Sequence, residues 1–420
     1  MPNNETTVVT PLHVAIPATV SAIKKDKHLQ EEKPAELFST LPYYSLLLLQ
    51  AFVYVSIAKW RQPWLGAFIV FAFLPLADAI FPEDWLNPTE KQIKQLADDV
   101  YFKIPLYLAV ITDWIYYFWL LDYLTQQSFD LLYLSGVLFL SASFLASNFM
   151  VAHELFHKHD LLSRTVGCLT MTKMLYTHLF IEHQYGHHKN VATPLDPASA
   201  RYQETIYHFV PRSILGSFIS AWKIEKRRLL EVEECSTYWH PYNRMIWFVL
   251  GYPAFAGIIY TKYGFCGLAI ALYLAFQAIV FVEAINYIEH YGLERKEIAP
   301  GEYEKIDISH SWNAPHRITN YILFKLQRHS DHHENGYKPY QTLVIHEDSP
   351  MLPSGYAFCI TLSFVPKFWF NTINPLLMRY KKREKITAEE KANAKKWMNA
   401  FMGLVTIIFG ILMLLGLVTN

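Results

Sequence analysis

The chain has 420 residues, of which 52 % are hydrophobic and 16 % aromatic, with equal numbers of acidic and basic side chains and a formal net charge of zero. So much apolar surface exceeds what a soluble core of this length uses, while zero net charge argues neither for nor against a nucleic-acid partner. Four cysteines, Cys168, Cys235, Cys266 and Cys359, form no C-x-x-C pair, which excludes a disulfide scaffold, a zinc ribbon and a cysteine-ligated iron centre within the chain.

Residues 1–40 form a polar tail carrying Lys24, Lys25, Lys27 and Lys33, without a signal-peptide core. Apolar runs follow at 41–58, 63–81, 104–121, 130–150, 245–260, 264–288 and 399–418. Each is close to the roughly 20 residues with which a helix crosses about 30 Å of hydrocarbon. Tyr43, Tyr44, Trp60, Trp64, Tyr116 and Trp119 lie near their ends, where amphipathic rings meet headgroups.

The expected fold is therefore all-α: an integral membrane bundle of six core spans with a histidine-rich di-metal region on the cytoplasmic side, and an extra C-terminal apolar helix. The boundaries are a tail at 1–40, a membrane domain at 41–375 with polar segments at 151–244 and 289–375, and a basic linker with the last helix at 376–420.

Pro82 and Asn87-Pro88 mark a turn between the two pairs of spans, and Thr89 opens a short surface helix. The fourth span runs without a Gly or Pro break into HELFHKHD (153–160), and the sixth flows into NYIEHYGL (286–293). Residues 161–244 read as short amphipathic helices and loops. Lys223, Lys226, Arg227, Arg228, Arg379, Lys381, Lys382 and Arg383 place both polar segments in the cytoplasm by the positive-inside tendency, whereas Lys59 and Arg61 fall outside. Thr387 and Glu390 form a capping box ahead of the last run.

Three stretches concentrate imidazole: HELFHKHD, EHQYGHHKNVATPLDPASA (182–200) and LQRHSDHH (326–333). Positions three and four apart share a helix face. His153 and His157, His183 and His187, and His329, His332 and His333 therefore point in common directions, with His188 beside them and His290 at the end of span six.

One histidine alone is more often a satisfied surface or core residue, but three clusters near one membrane face make a metal site. Nine imidazoles are too many for one tetrahedral zinc, so two metals fit better. Glu154, Glu182, Glu289 and Asp331 adjoin these positions and Asp196 follows in a Pro-flanked turn, as expected of carboxylates that orient ligating histidines.

Alternatives exist. HELFH is literally H-E-x-x-H, which predicts one zinc with Glu154 as base and leaves the other clusters idle. A metal transporter would line a path with ionisable groups such as Asp113, Asp122 and Glu283, yet the histidines gather at one end.

HELFHK, EHQYGHHKNVATPLDPASA, NYIEHYGL and LQRHSDHH…YQTL, followed by LPSGYA (352–357), closely resemble the bacterial alkane 1-monooxygenase family of membrane non-haem di-iron hydroxylases, over about residues 40–375. The resemblance implies two iron ions held by His153, His157, His183, His187, His188, His290, His329, His332 and His333. It also implies terminal hydroxylation of medium- or long-chain alkanes to 1-alkanols with O₂, with substrate drawn from membrane lipid.

Electrons would come from a rubredoxin and its NAD(P)H-dependent reductase, consistent with the missing cysteine pairs, and nucleic acid has no part. The protein would be multi-pass in an inner membrane if bacterial, with the histidines facing the cytoplasm. Xylene-type side-chain monooxygenases and fatty-acyl hydroxylases or desaturases share the histidine boxes and stay open. Two departures stand out: GYKPYQ, with Lys338 and Pro339, replaces the family's arginine-rich approach to Tyr-Gln, and the C-terminal apolar run lies outside the shared region.

Overall fold

The structure, a computed structural model, describes residues 39–234 and 237–419. The basic tail with its four lysines, and Cys235, lie outside the described residues. Apolar segments that cannot hydrogen-bond to lipid must satisfy their backbones internally, and they do so as helices.

In chain order these are α1 (Leu41–Ala58) and α2 (Pro63–Ile80), the short α3 (Glu90–Ala97), and α4 (Val100–Thr125) and α5 (Leu131–Phe156). Next come α6 (Leu161–Thr172), α7 (residues 179–190), α8 (Ile206–Glu233) and α9 (Arg244–His290). The chain ends through α10 (Arg317–Ile322), α11 (His329–Glu334), α12 (Tyr356–Ser363), α13 (Pro366–Lys382) and α14 (Ala388–Thr419). Strands β1 (Glu297–Ala299) and β2 (Glu302–Tyr303) form a small antiparallel hairpin.

Six of these helices are long and apolar enough to cross a membrane: α1, α2, α4, α5, α9 and α14. At 47 residues α9 is far too long for one crossing. Gly264 interrupts it at φ 68°, ψ −167°, a conformation open to glycine because it has no Cβ. Phe255, Ala256 and Ile259 then share one cleft with Leu268, Ala271 and Leu272, so the chain reverses at Gly264 and the two expected spans form a helical hairpin. The protein is a multi-pass membrane protein.

The last helix packs on the bundle: Phe409 stacks on Phe71 at 5.5 Å, and Gln62 donates to the Gly416 carbonyl at 3.0 Å. Arg61 lies over the Tyr133 ring at 4.9 Å.

Both capping expectations hold. The helices that Thr89 and Thr387 open show reciprocal bonds, Thr89 N–H to Gln92 at 2.8 Å with Gln92 N–H to Thr89 at 3.3 Å, and Thr387 N–H to Glu390 at 2.9 Å with Glu390 N–H to Thr387 at 3.1 Å. The region 161–244 differs from expectation, because α8 is a continuous 28-residue helix. Pro211 lies in its second turn and gives up one backbone bond without ending the helix, and Ser213, Ser217, Ala221, Glu225 and Leu229 give it a buried stripe at helical spacing.

Candidate metal centre

Four elements bring their histidines to one end of the bundle: the end of α5, α7, the end of α9, and α11. α5 and α9 supply imidazoles because their helices continue past the apolar run, α5 passing through Asn148 with helical φ and ψ, while α7 and α11 are short helices outside the spans. The nine histidines divide into two groups, His153, His157, His183, His188 and His332 in one and His187, His290, His329 and His333 in the other.

Within the first group, ring Nε2 atoms stand 3.1 Å apart for His157 and His183, 3.1 Å for His183 and His188, and 3.0 Å for His188 and His332. In the second, His290 and His329 are 3.2 Å apart and His329 and His333 3.0 Å. Metal–nitrogen bonds of about 2.1 Å at right angles to one another leave nitrogens about 3.0 Å apart. The Nε2 atoms of His153 and His187 are buried without a hydrogen-bond partner. Converging buried lone pairs of this kind need a cation between them, so the residues present fit two metal ions.

Burial, and then the neighbouring imidazoles, hold His183, His188, His329, His332 and His333 well below the usual histidine pKa. They are neutral at physiological pH, the form that ligates.

The expectation that His183 and His187 work together is corrected: they belong to different groups. Residues His183–His187 form a π-turn, whose extra residue presents His183, His187 and His188 to both groups at once. The spacing of four holds for His153 with His157 and for His329 with His333, whereas His332 turns to the first group.

The five carboxylates separate by contact. Asp196 accepts from His187 Nδ1 at 2.9 Å, and Glu289 lies 3.3 Å from His329 Nε2. Burial works to raise Asp196, but His187, together with the hydrogen bonds from His187 and Ser199, outweighs it and holds the carboxyl below its usual range.

Glu154 instead pairs with Lys158 and accepts from the Tyr340 N–H at 3.3 Å. Asp331 is bound by Lys338 at 2.6 Å and the Val344 N–H at 2.8 Å. Glu182 is buried beside Gly186, its pKa raised by burial and by the charges of Asp196 and Glu283.

Sequence reasoning missed the partner of His290, whose Nδ1 meets the His310 carbonyl at 3.2 Å; a backbone acceptor leaves no residue-type signal. It also missed the anchor of α11. Arg328 is fully buried and donates to Asp84 at 3.0 Å, Asn87 at 3.1 Å and the Leu343 carbonyl at 2.7 Å, pinning the α2–α3 connector to the residue before His329. A charged residue adjoining a histidine box was the available sign.

A family model described as fatty acid desaturase matches residues 131–363, more than half of the chain. Alkane 1-monooxygenase of Acinetobacter baylyi is 37% identical over 326 residues, covering 76% of this chain and 78% of that protein. Alkane 1-monooxygenase 2 of Pseudomonas aeruginosa is 33% identical over 325 residues, covering 76% and 85%. The chain belongs to the alkane 1-monooxygenase family.

Membership makes it an oxidoreductase, and places its two histidine groups among metal-dependent membrane monooxygenases. The chain is also similar to the xylene/toluene monooxygenase hydroxylase component of Pseudomonas putida, at 28% identity over 364 residues, 82% of this chain and 93% of that protein.

Proposed function

We propose that the nine histidines hold two iron ions and that the protein hydroxylates the terminal methyl group of a medium- or long-chain alkane: RCH₃ + O₂ + 2e⁻ + 2H⁺ gives RCH₂OH + H₂O. The observation that carries this reading is the pair of adjacent, desolvated imidazole groups at the end of membrane helices, one of five rings and one of four. Bound iron supplies the oxidant that an unactivated C–H bond requires.

The chain's own residues position and dry the site. Asp196 fixes the His187 tautomer with Nε2 facing inward, and the His310 carbonyl does the same for His290. Buried Phe149, with its ring 5.7 Å from that of His153, adds an apolar wall on the α5 side that helps to exclude water. Alkanes dissolve in lipid, so a membrane bundle takes substrate from the bilayer.

The electron donor in this reading is a rubredoxin with its NAD(P)H-dependent reductase, approaching from the cytoplasm of an inner-membrane protein. Support comes from the lack of C-x-x-C pairs and from the basic residues of α13. The catalytic domain spans 41–375, with 376–420 as a linker and anchor. Aromatic methyl hydroxylation is the second reading, favoured by the long match to the xylene/toluene enzyme component.

The test is metal analysis of the purified protein together with gas chromatography of octane incubated with it, rubredoxin, reductase, NADH and O₂. About two irons per chain and 1-octanol are expected. Iron with xylene alcohols and no octanol transfers the assignment to aromatic substrates; zinc, or no metal, overturns it.

A further inference from the structure

A cavity of about 780 Å³ lies between α7, α8 and the β-hairpin, away from the converging imidazole nitrogens. Six cationic side chains line it: Lys189, Arg201, Arg212, Lys223, Arg227 and Arg295. Asp196 is the one carboxylate in the lining, and it is already engaged by His187 at 2.9 Å and Ser199 at 2.6 Å.

Arg212 is paired with Glu204 at 2.7 Å, and Arg295 donates to the backbone carbonyls of Lys189 and Glu304 at 2.9 and 2.7 Å. Lys189, Lys223 and Arg227 form no ion pair among the described residues, and Arg201, whose backbone N–H donates to Glu204 at 2.9 Å, shares that one carboxylate with Arg212. Three unpaired cations, with two arginines sharing one carboxylate, repel each other around one concavity and favour an anionic occupant.

The position of the cavity selects the class of anion. Glu225, on the same stretch of α8 as Lys223 and Arg227, accepts from the Arg244 side chain at 3.0 Å and from its N–H at 2.9 Å. Arg244 opens the membrane hairpin α9, and its guanidinium lies 5.3 Å from the ring of Tyr185, which lines the cavity. The cavity therefore sits level with the membrane-surface end of α9.

Exposed Trp239, Tyr242 and Trp247 mark the same level, as aromatic side chains do at headgroup depth. Leu195 and Ile219 on the cavity wall, and Leu215 on the same helix, are exposed apolar groups beside the cations. Cations, a deep concavity and an adjoining apolar rim together match an amphiphile, with phosphate inside and acyl chain outside.

We propose that this cavity is a binding site for the phosphate headgroup of an anionic phospholipid, held by Lys189, Arg201, Lys223 and Arg227. Basic pockets beside membrane helices recognise such headgroups, each Lys or Arg adding to the attraction. The site is distinct from the converging imidazole nitrogens, and Asp196, which lines it, also holds His187.

The test reconstitutes the full chain in nanodiscs of phosphatidylcholine containing phosphatidylglycerol, extracts it in mild detergent, and counts retained lipid by mass spectrometry. Phosphatidylglycerol should be retained above its share of the bilayer in the native protein, and retention should fall by at least about ten-fold in the Lys223→Glu/Arg227→Glu double variant. Glycerol phosphate and inorganic phosphate should fail to displace the lipid.

Retention at the bulk ratio by the native protein overturns the proposal without recourse to any variant. So does equal retention by native protein, the double variant and Arg201→Gln. Displacement by glycerol phosphate assigns the cavity to a soluble phosphate compound, and an acidic protein that binds there in the absence of any lipid enrichment assigns it to a protein partner; either result overturns the lipid assignment.

Discussion

The two histidine groups are built differently. Two rings of the group of four are anchored from behind, His187 by Asp196 and His290 by the His310 carbonyl, and a carboxylate, Glu289, reaches the inward nitrogen of His329. In the group of five the rings lean chiefly on one another, His157 on His183, His183 on His188, and His188 on His332. This group is also nearer the surface, since His188 is only half-buried and Tyr337 stacks on the adjacent His159 at 4.6 Å. One metal position is thus oriented by surrounding carboxylate and carbonyl groups and the other by the number of its imidazoles, and the two should fail in different ways.

The largest effects should come from deleting inward rings. His332→Ala is expected to empty the five-histidine position and abolish turnover, and His333→Ala to empty the other; exposed His208, bonded to Thr205, should tolerate the same change. Metal analysis checks this, and equal loss in all three variants would remove the division into two groups.

Next, Asp196→Asn or Glu289→Gln should weaken metal binding by about 10–100-fold, at the four-histidine position only. Competitive chelation that shows both positions weakened alike would contradict the asymmetry.

A pH effect of intermediate size follows from the depressed histidines. Their pKa values are lower in the folded chain than the 6.5 of an unperturbed imidazole, so below 6.5 the unfolded state binds more protons. Metal-free protein should therefore be most stable above that pH and lose stability as pH falls through it, while bound metal postpones the loss. Thermal unfolding between pH 5 and 8, with and without metal, reads this out; stability that rises on acidification would reverse the sign.

The smallest effect should come from Gly336→Ala. A Cβ there would stand 3.2 Å from His188 Nδ1, disturbing the five-histidine group by a few-fold in metal affinity and leaving the other unchanged.

Much of the fold was legible, because hydrocarbon thickness fixes span length and the helix period fixes faces. The runs at 245–260 and 264–288 were separable at Gly264, and Thr89 and Thr387 announced their helices through capping chemistry. The 28-residue α8 was harder to see: its buried stripe consists of serines, an alanine and a glutamate as much as of large apolar residues, so its periodicity was muted.

At the site, residue type and spacing alone determined which nine histidines were candidates, since imidazole has few other reasons to recur at intervals of three and four beside a membrane face. Tertiary structure decided how they divide. The π-turn at His183–His187 changes the spacing that sequence takes for granted, and packing of α7 against α11 and the end of α9 sends neighbours such as His187 and His188 to different metals. It also decided which carboxylates serve them. Glu154 and Asp331 adjoin histidines in sequence yet turn to Lys158 and Lys338, whereas Asp196, nine residues beyond His187, reaches it, because a hydrogen bond depends on distance in space and the fold alone sets that distance.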